Sequence, residues 1–477
     1  MKYFAFPLDS YVSMTKNAML LFRNLPKAFS VPLISAPSGS TWVHFRCFSV
    51  MMALILYAGL LPAQSPAPTG LLDQVRAEID TLCSPALAGR GYVHEGHLRA
   101  ARYISNKFQQ IGLEPVVNKG GVKSYFQPFP LQINLITDAK LVIGSDTLQP
   151  GTDFIAHRLS GSGQGSYKIK DMGYGLKLKS GVKGKIALLR EGWPEHLKND
   201  SKAQDQYGKR KQMLGRIDAL LAYQPAGFII LKPKLTAAFA QEHLRVPILE
   251  VQKDSFPSKK ASRAYIEVHA GLSTLESQNV AGLVRGTQFP DTAIVISAHY
   301  DHLGMLGPAR FPGANDNASG TAMLLTMARY FQQHPLKYSI LFIAFGGEET
   351  GLIGSRYFVE YDPLIPLQQL KFVLNLDLMG NGDEGIMAVG GKDFPAYFEQ
   401  LQQQNERLQA VPVVRARRNA PNSDHFFFLL NGVPGFFIYT LGGPPHYHDV
   451  NDTPAHLRLS RFEEVQQLLI RFLEQLN

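Results

Sequence analysis

Five short stretches of this chain place imidazoles or carboxylates where a run of apolar residues ends. They are "AHYDHLG" with His299, Asp301 and His302, "FPGANDNASG" with Asp316, "AFGGEETG" with Glu348 and Glu349, "NLDLMGN" with Asp377, and "GGPPHYHDVNDTP" with His446 and His448. Nitrogen and oxygen donors without a thiolate suit zinc or another borderline divalent ion. Two His, one Glu and two Asp exceed what one tetrahedral catalytic ion takes, but suit two ions sharing a carboxylate. Metals held ~3.5–4 Å apart polarise a carbonyl and generate a bridging hydroxide near neutral pH. A further carboxylate, off the metals, must take that water's proton and pass it to the leaving amine. Glu348 and Glu349 can divide these roles, because neighbours on a turn point in different directions.

Each residue taken singly has an ordinary reading. A His at a strand end is usually a satisfied surface residue, Asp316 could cap a helix, and paired glutamates are usually solvated. Asp377 resists this, since a carboxylate closing "FVLNLDL" is partly buried and needs a cation or donors. All five exits being polar together argues for one site.

The elements that must position these groups follow from pattern. Strand "TAIVISAHY" leads to helix "ASGTAMLLTMARYFQQH", and strand Ser339–Phe345 leads to a helix over Thr350–Tyr357. Strands "KFVLNLDL" and "GFFIYTL" follow, and "SRFEEVQQLLIRFLEQL" closes the chain as a helix opened by a capping box, Ser460 to Glu463. Continuous apolar strands between helices predict an α/β fold with a mostly parallel central sheet covered on both faces. Ligand sites of such sheets lie beyond the carboxyl ends of the strands. Upstream, Gly70 to about Val117 reads as helical with Gly112 as a stop, and about Asp138 to Leu275 as β-rich with one helix near Lys209–Tyr223.

These motifs, in this order, resemble the signature blocks of the co-catalytic zinc aminopeptidase family, which includes bacterial leucyl aminopeptidases and glutamate carboxypeptidase II. "LAGRGYVHEGHLRAARYI" is similar to the family's amino-terminal helical block. The resemblance implies a three-layer, phosphorylase/hydrolase-like zinc exopeptidase fold. Two zinc ions would be bridged by Asp316, with His299 and Asp377 completing one site and Glu349 and His448 the other. Glu348 would be the general acid/base, and Asp301 would orient His299 from behind. His448 is preferred to His446 because the family spaces its ligand four residues before the Asp of a "DT" pair, here Asp452–Thr453. In related enzymes the bond equivalent to Asp316–Asn317 is cis. The β-rich stretch resembles a protease-associated domain in "SGVKGKIALLREG" and "YQPAGFIILK", and would shape substrate access or mediate contacts. The implied organisation is a leader and signal peptide over 1–63, catalytic domain over 64–137, insert over 138–275, and catalytic domain with the metal site over 276–477.

Phe48 to Ala63, "FSVMMALILYAGLLPA", follows Arg46 and precedes "QSPAPTG", the layout of a secretory signal peptide. It is shorter than the ~20 residues of a membrane-spanning helix, so the expectation is a secreted or periplasmic protein without stable membrane insertion after cleavage. The residues before Arg46 are unusual for a signal peptide and suggest a translation start downstream of Met1. Cys47 would leave with the leader, and Cys83 alone allows no intrachain disulfide. The formal charge of +9 falls to about +5 without the leader's five Lys/Arg and one Asp, and no basic run supports nucleic-acid binding.

The resulting expectation is a zinc-dependent aminopeptidase acting on peptides. Glutaminyl cyclase-type acyl transfer is an alternative, opposed by Tyr447 where animal cyclases carry tryptophan. A glutamate-releasing carboxypeptidase would need a cationic pocket, for which "VVRARRNAPNSDHFF" offers Arg415, Arg417 and Arg418. That stretch otherwise reads as a solvated loop with Ser423 or Asp424 capping a helix. A catalytically dead binding module is disfavoured by the intact ligand set.

Overall fold

The structure, a computed structural model, describes residues 70–476 apart from 178–180 and 258–261. The leader and its apolar run lie outside the described residues, among which no helix is long and apolar enough to cross a membrane. Two helices come first, α1 (Leu71–Leu82) and α2 (Gly96–Ile111). In α2 the buried Ala100, Ala101, Ile104 and Phe108 recur at helical spacing and form one apolar face. Gly112 ends it as expected, with φ +92° and its N–H on the Phe108 and Gln109 carbonyls.

The chain continues through β1 (Phe126–Ile143), β2 (Phe154–Ala156), β3 (Gly163–Asp171), β4 (Ile186–Arg190), α3 (Met213–Leu221), β5 (Gly227–Lys232) and β6 (Ile248–Gln252). After β7 (Arg263–Val284) come β8 (Phe289–His299), α4 (Gly320–Gln333), β9 (Tyr338–Phe345), α5 (Ile353–Glu360) and β10 (Leu370–Leu376). Then follow β11 (Gly385–Val389), α6 (Pro395–Leu408), β12 (Val414–Arg417), α7 (His425–Leu430), β13 (Gly435–Leu441) and α8 (Phe462–Leu476). Strands neighbour one another in the order β12-β11-β13-β10-β8-β9-β7-β3-β4-β5-β6-β2.

The centre, β9-β8-β10-β13, is parallel throughout, with β7 antiparallel to β9 and β11 antiparallel to β13. Its strands read as continuous apolar runs because both faces are covered. Ile294, Ile296 and Ala298 of β8 and Ile340, Phe342 and Ala344 of β9 pack with α1, α2, α4 and α8. The alternate residues Ala293, Val295, Leu341, Ile343 and Phe345 pack with Phe358 of α5 and Phe428 of α7. Register then aligns the exits: His299 pairs with Phe345, Ser297 with Asn375, and Leu376 with Ile438. The polar residues just beyond these positions therefore share one edge.

β1 and β7 stay paired from Ala264–Ile143 to Val280–Phe126, with a register shift between His269 and Ala270. Both run from the central sheet into the β-rich region, where β3 to β6 form a parallel ladder around separate apolar cores. The insert limits read from sequence fall within these two continuous strands.

Two helix starts differ from expectation. α5 begins at Ile353 rather than Thr350, because Gly347, Gly351 and Leu352 all have positive φ and coil the chain into turns. The capping box of α8 does not form. Leu459 and Arg461 both adopt left-handed φ, the Arg458 and Leu459 N–H groups donate to Asn381 Oδ1, and the Ser460 hydroxyl is buried without a partner.

Between α1 and α2, the fully buried Arg90 holds the exit edge together. Its five N–H donors reach the carbonyls of Tyr300 (2.8 Å), Leu82 (3.0 Å), Pro312 (2.7 Å), Gly313 (2.7 Å) and Asp316 (3.3 Å). A lysine offers three donors, so Arg90→Lys leaves buried carbonyls unpaired at about 1–3 kcal/mol each. Urea unfolding should show a loss of about 2–4 kcal/mol for this variant, and an unchanged midpoint would contradict that role.

Candidate metal centre

His299 closes β8, and its Nδ1 lies 3.1 Å from the main-chain oxygen of Asp301. A hydrogen bond there puts the ring proton on Nδ1 and leaves Nε2 as the ligand atom. That Nε2 is 3.2 Å from Asp316 Oδ1 and 3.4 Å from Asp377 Oδ1. The other Asp316 oxygen, Oδ2, is 3.1 Å from His448 Nε2, which is in turn 3.1 Å from Glu349 Oε2. Two donor sets thus meet at one carboxylate, each of whose oxygens faces a different imidazole.

The dimensions fit zinc. Ligand atoms about 2.0–2.1 Å from a tetrahedral zinc ion lie about 3.3–3.4 Å from one another. Every contact above is within a few tenths of that spacing. Asp377 Oδ2 accepts the Ser423 hydroxyl at 2.9 Å, while its Oδ1 is buried and takes no hydrogen bond. Such an orphaned oxygen beside an imidazole is what a metal ligand looks like without its ion.

Asp301, Asp316, Glu348, Glu349, Asp377, Asp424 and Asp452 crowd the region, against His299, His302 and His448. Burial works against a charged His448, yet Glu349 and Asp316 push it up to about 11. Burial likewise opposes a charged Glu349, but His448 and His302 bring it down to about 2. Glu348 moves oppositely: burial raises it well above the carboxylate range, and Glu349, Asp424 and Asp377 add to that against the pull of His299. Asp424 rises to about 7, mainly by burial.

The supports are local and specific. Asp452 accepts the Asn315 and Asp316 N–H groups at 2.8 and 2.9 Å, one on each oxygen, and so fixes the loop of the bridging residue. The Asp316–Asn317 peptide is cis, as the family resemblance implies. Gly313 has φ +60°, and a Cβ there would lie 2.2 Å from the Asp316 oxygen and 2.4 Å from the His302 ring. His302 Nδ1 is 2.6 Å from Glu349 Oε1, so both oxygens of that carboxylate are held by imidazoles.

Expectation and structure part at several residues. Asp301 orients His299 through its main-chain oxygen rather than its carboxylate, which is 3.9 Å from Nδ1. That carboxylate is already engaged, accepting the Tyr92 hydroxyl at 2.9 Å and the Glu348 N–H at 3.2 Å. Ser423 and Asp424 do not cap α7 with their side chains. Ser423 donates to Asp377, and both carboxylate oxygens of Asp424 are buried against the centre. His446 stays outside, 3.7 Å from Asp449, with its ring 4.6 Å from that of His456 and tilted by 39°. Of the three arginines, Arg415 is exposed, Arg418 pairs with Asp393, and Arg417 lies over the Tyr439 ring at 5.5 Å. Arg417, Glu348, Asp377, Asn422 and Tyr447 line a cavity of about 200 Å³ that opens from the centre. Sequence reasoning assigned no role to Arg90, Tyr92 or His302. His302 had a signal in its place in the His299 motif, and Arg90 and Tyr92 lie in the amino-terminal block "LAGRGYVHEGHLRAARYI".

Residues 279–473 match the family model "Peptidase family M28". Aminopeptidase YwaD of Bacillus subtilis is 24% identical over 461 residues, 89% of this chain and 92% of that protein. A probable zinc metalloprotease of Pyricularia oryzae is 37% identical over 106 residues, 22% of this chain and 21% of its own. Among solved structures, the zinc aminopeptidase BSAP from Bacillus subtilis superposes with a TM-score of 0.65 at 20% identity, covering 86% of this chain and 96% of that one. A peptidase M28 precursor from Shewanella amazonensis gives 0.61 at 18% identity, over 85% and 95%. These likenesses extend the shared fold beyond the matched segment, over 85–86% of the chain.

The two donor sets can be separated experimentally. Glu349→Ala and Asp377→Asn should each weaken one bound zinc by at least about tenfold while the other stays bound. Native mass spectrometry with chelator titration measures this. Loss of both ions together in either variant would contradict two distinct positions.

Proposed function

We propose that this chain is a two-zinc aminopeptidase that removes N-terminal residues from peptides, a reading supported by the match of residues 279–473 to the peptidase family M28 model. The observation that carries the reading is Asp316, whose two oxygens face His299 and His448 separately. Zinc ions held by the two donor sets would polarise the scissile carbonyl and acidify a water between them.

The remaining work belongs to side chains. Glu348 lies close to His299 and Glu349 but forms no ion pair with an imidazole, so it is free to move a proton. In the reaction it takes the proton of the attacking water and returns it to the nitrogen of the departing amine. Its elevated proton affinity suits a group that must hold a proton near neutral pH. The Asp301 carboxylate positions it by accepting its N–H. An excess of carboxylates around the cavity favours a substrate end that carries a positive charge, as a free α-amine does.

Arg417 supports a second reading. On the cavity wall, it could hold a substrate carboxylate, as a glutamate-releasing carboxypeptidase requires. We read the stretch 138–275 as a protease-associated domain, and the apolar run 48–63 as the signal for export to a periplasmic or extracellular space.

Zinc-reconstituted enzyme given aminoacyl anilides, amino-blocked peptides, carboxy-blocked peptides and glutaminyl peptides should release residues only from free amino termini. Cleavage that requires a free carboxyl end supports the second reading, and cyclisation without hydrolysis sinks both. Glu348→Gln should keep two zinc ions while kcat falls by about 10²–10⁴-fold.

A further inference from the structure

The parallel neighbours β5 and β6 need a crossover connection, which in such units is usually a helix. Here residues 233–247 make the crossing with neither helix nor strand. Irregular connections of this length are uncommon in compact domains and usually functional. This one leaves the insert and lies against the metal centre.

Its contacts fall on the residues that matter most. The Ala237 N–H donates to the His448 carbonyl at 3.1 Å, and His448 Nδ1 is 2.9 Å from the Ala237 carbonyl. Lys234 Nζ donates to the Pro445 carbonyl at 2.7 Å, bracing the same arm. On the other side, Gln241 Nε2 donates to the Thr350 carbonyl at 2.9 Å, on the turn that carries Glu348 and Glu349. Between them, Phe239 meets the Tyr92 ring edge-on at 5.4 Å, and the Tyr92 hydroxyl donates to Asp301. The Asn134 N–H ties the segment back to β1 through the Ala240 carbonyl at 2.7 Å.

The other ligands are held from within the catalytic part: His299 by the Asp301 carbonyl, Asp377 by Ser423, Glu349 by His302. For His448 the atom that sets the tautomer and the ring plane belongs to the insert. A ligating imidazole whose second nitrogen loses its partner is free to rotate, and metal affinity typically falls 10–100-fold.

We propose that the segment 233–247 is a positioning element of the metal centre, fixing His448 through the Ala237 carbonyl and thereby setting zinc affinity at the position formed by His448, Glu349 and Asp316. The inference rests on the two-zinc reading. It gives the insert a role in assembling the site, distinct from shaping access to it.

The test uses the full mature chain. Lys234→Ala/Gln241→Ala removes the side-chain anchors on both arms, and Ala237→Pro removes the N–H bonded to His448. Zinc stoichiometry and affinity are measured by native mass spectrometry and chelator competition, with thermal unfolding of the metal-free protein alongside. One zinc should weaken at least about tenfold, the other should not, excess zinc should restore kcat, and metal-free unfolding should be nearly unchanged. Added to Glu349→Ala, the loop changes should cause little further loss, whereas added to Asp377→Asn they should weaken the remaining zinc. Wild-type affinity at both positions in the double variant, or equal weakening of both, overturns the proposal, and the double variant decides if the proline variant fails to fold. Wild-type protein that takes up a single zinc would defeat the two-zinc reading itself.

Discussion

Carboxyl groups packed together in a protein interior need cations among them or must take up protons. Two like charges 4 Å apart repel by about 4 kcal/mol at an effective dielectric of about 20, and each also loses its hydration. Asp316, Glu349 and Asp377 accept that proximity because His299 and His448 stand between their oxygens at 3.1–3.4 Å. Protonated imidazoles are one way to neutralise the cluster, and divalent ions are the other. The second leaves the rings neutral and available as ligands. The centre is therefore built around charge that the chain itself does not supply in full. Any ion that binds the folded form alone adds its binding free energy to stability.

The sheet solves the positional half of the problem. Four adjacent parallel strands, β9, β8, β10 and β13, have their carboxyl ends in register. Each releases one ligand or its turn at that edge: Glu349, His299, Asp377 and, after a longer loop, His448. Asp316 and His448 come from connecting loops, and Asp316 is held by Asp452 on its amide, by Arg90 on its carbonyl, and by Gly313 where a side chain would collide. Strand ends deliver side chains rigidly, whereas a loop must be held by bonds from elsewhere in the chain.

This contrast explains what the sequence disclosed. Apolar runs and the polar residues ending them are local patterns, so the parallel sheet, Asp377 and the shared edge could be read directly. Gly112 is legible for the same reason, because a C-terminal helix stop is a short-range event. Contacts between residues far apart in the chain leave no such pattern. Arg90 bonds the carbonyls of Tyr300 and Pro312, Tyr92 reaches Asp301, and Ser423 serves Asp377 rather than the helix it precedes. The Ser460 capping box shows the converse: a correct local motif, overridden when Asn381 captured the Arg458 and Leu459 amides.

The adjacent glutamates show how one turn produces opposite chemistry. Both side chains sit in the same buried, electronegative surroundings, so desolvation pushes both toward the protonated form. Glu349 escapes because His302 and His448 each hold one of its oxygens, which keeps it ionised and fit to bind a cation. Glu348 has no such imidazole clamp. Its main chain is fixed by Asp301 while its carboxyl faces Glu349, Asp424 and Asp377, and these raise its proton affinity further. A single peptide unit thus separates a carboxylate clamped between two imidazoles from a carboxyl without such a clamp. The separation is maintained by which side chains face each carboxyl, since the two residues are identical in type.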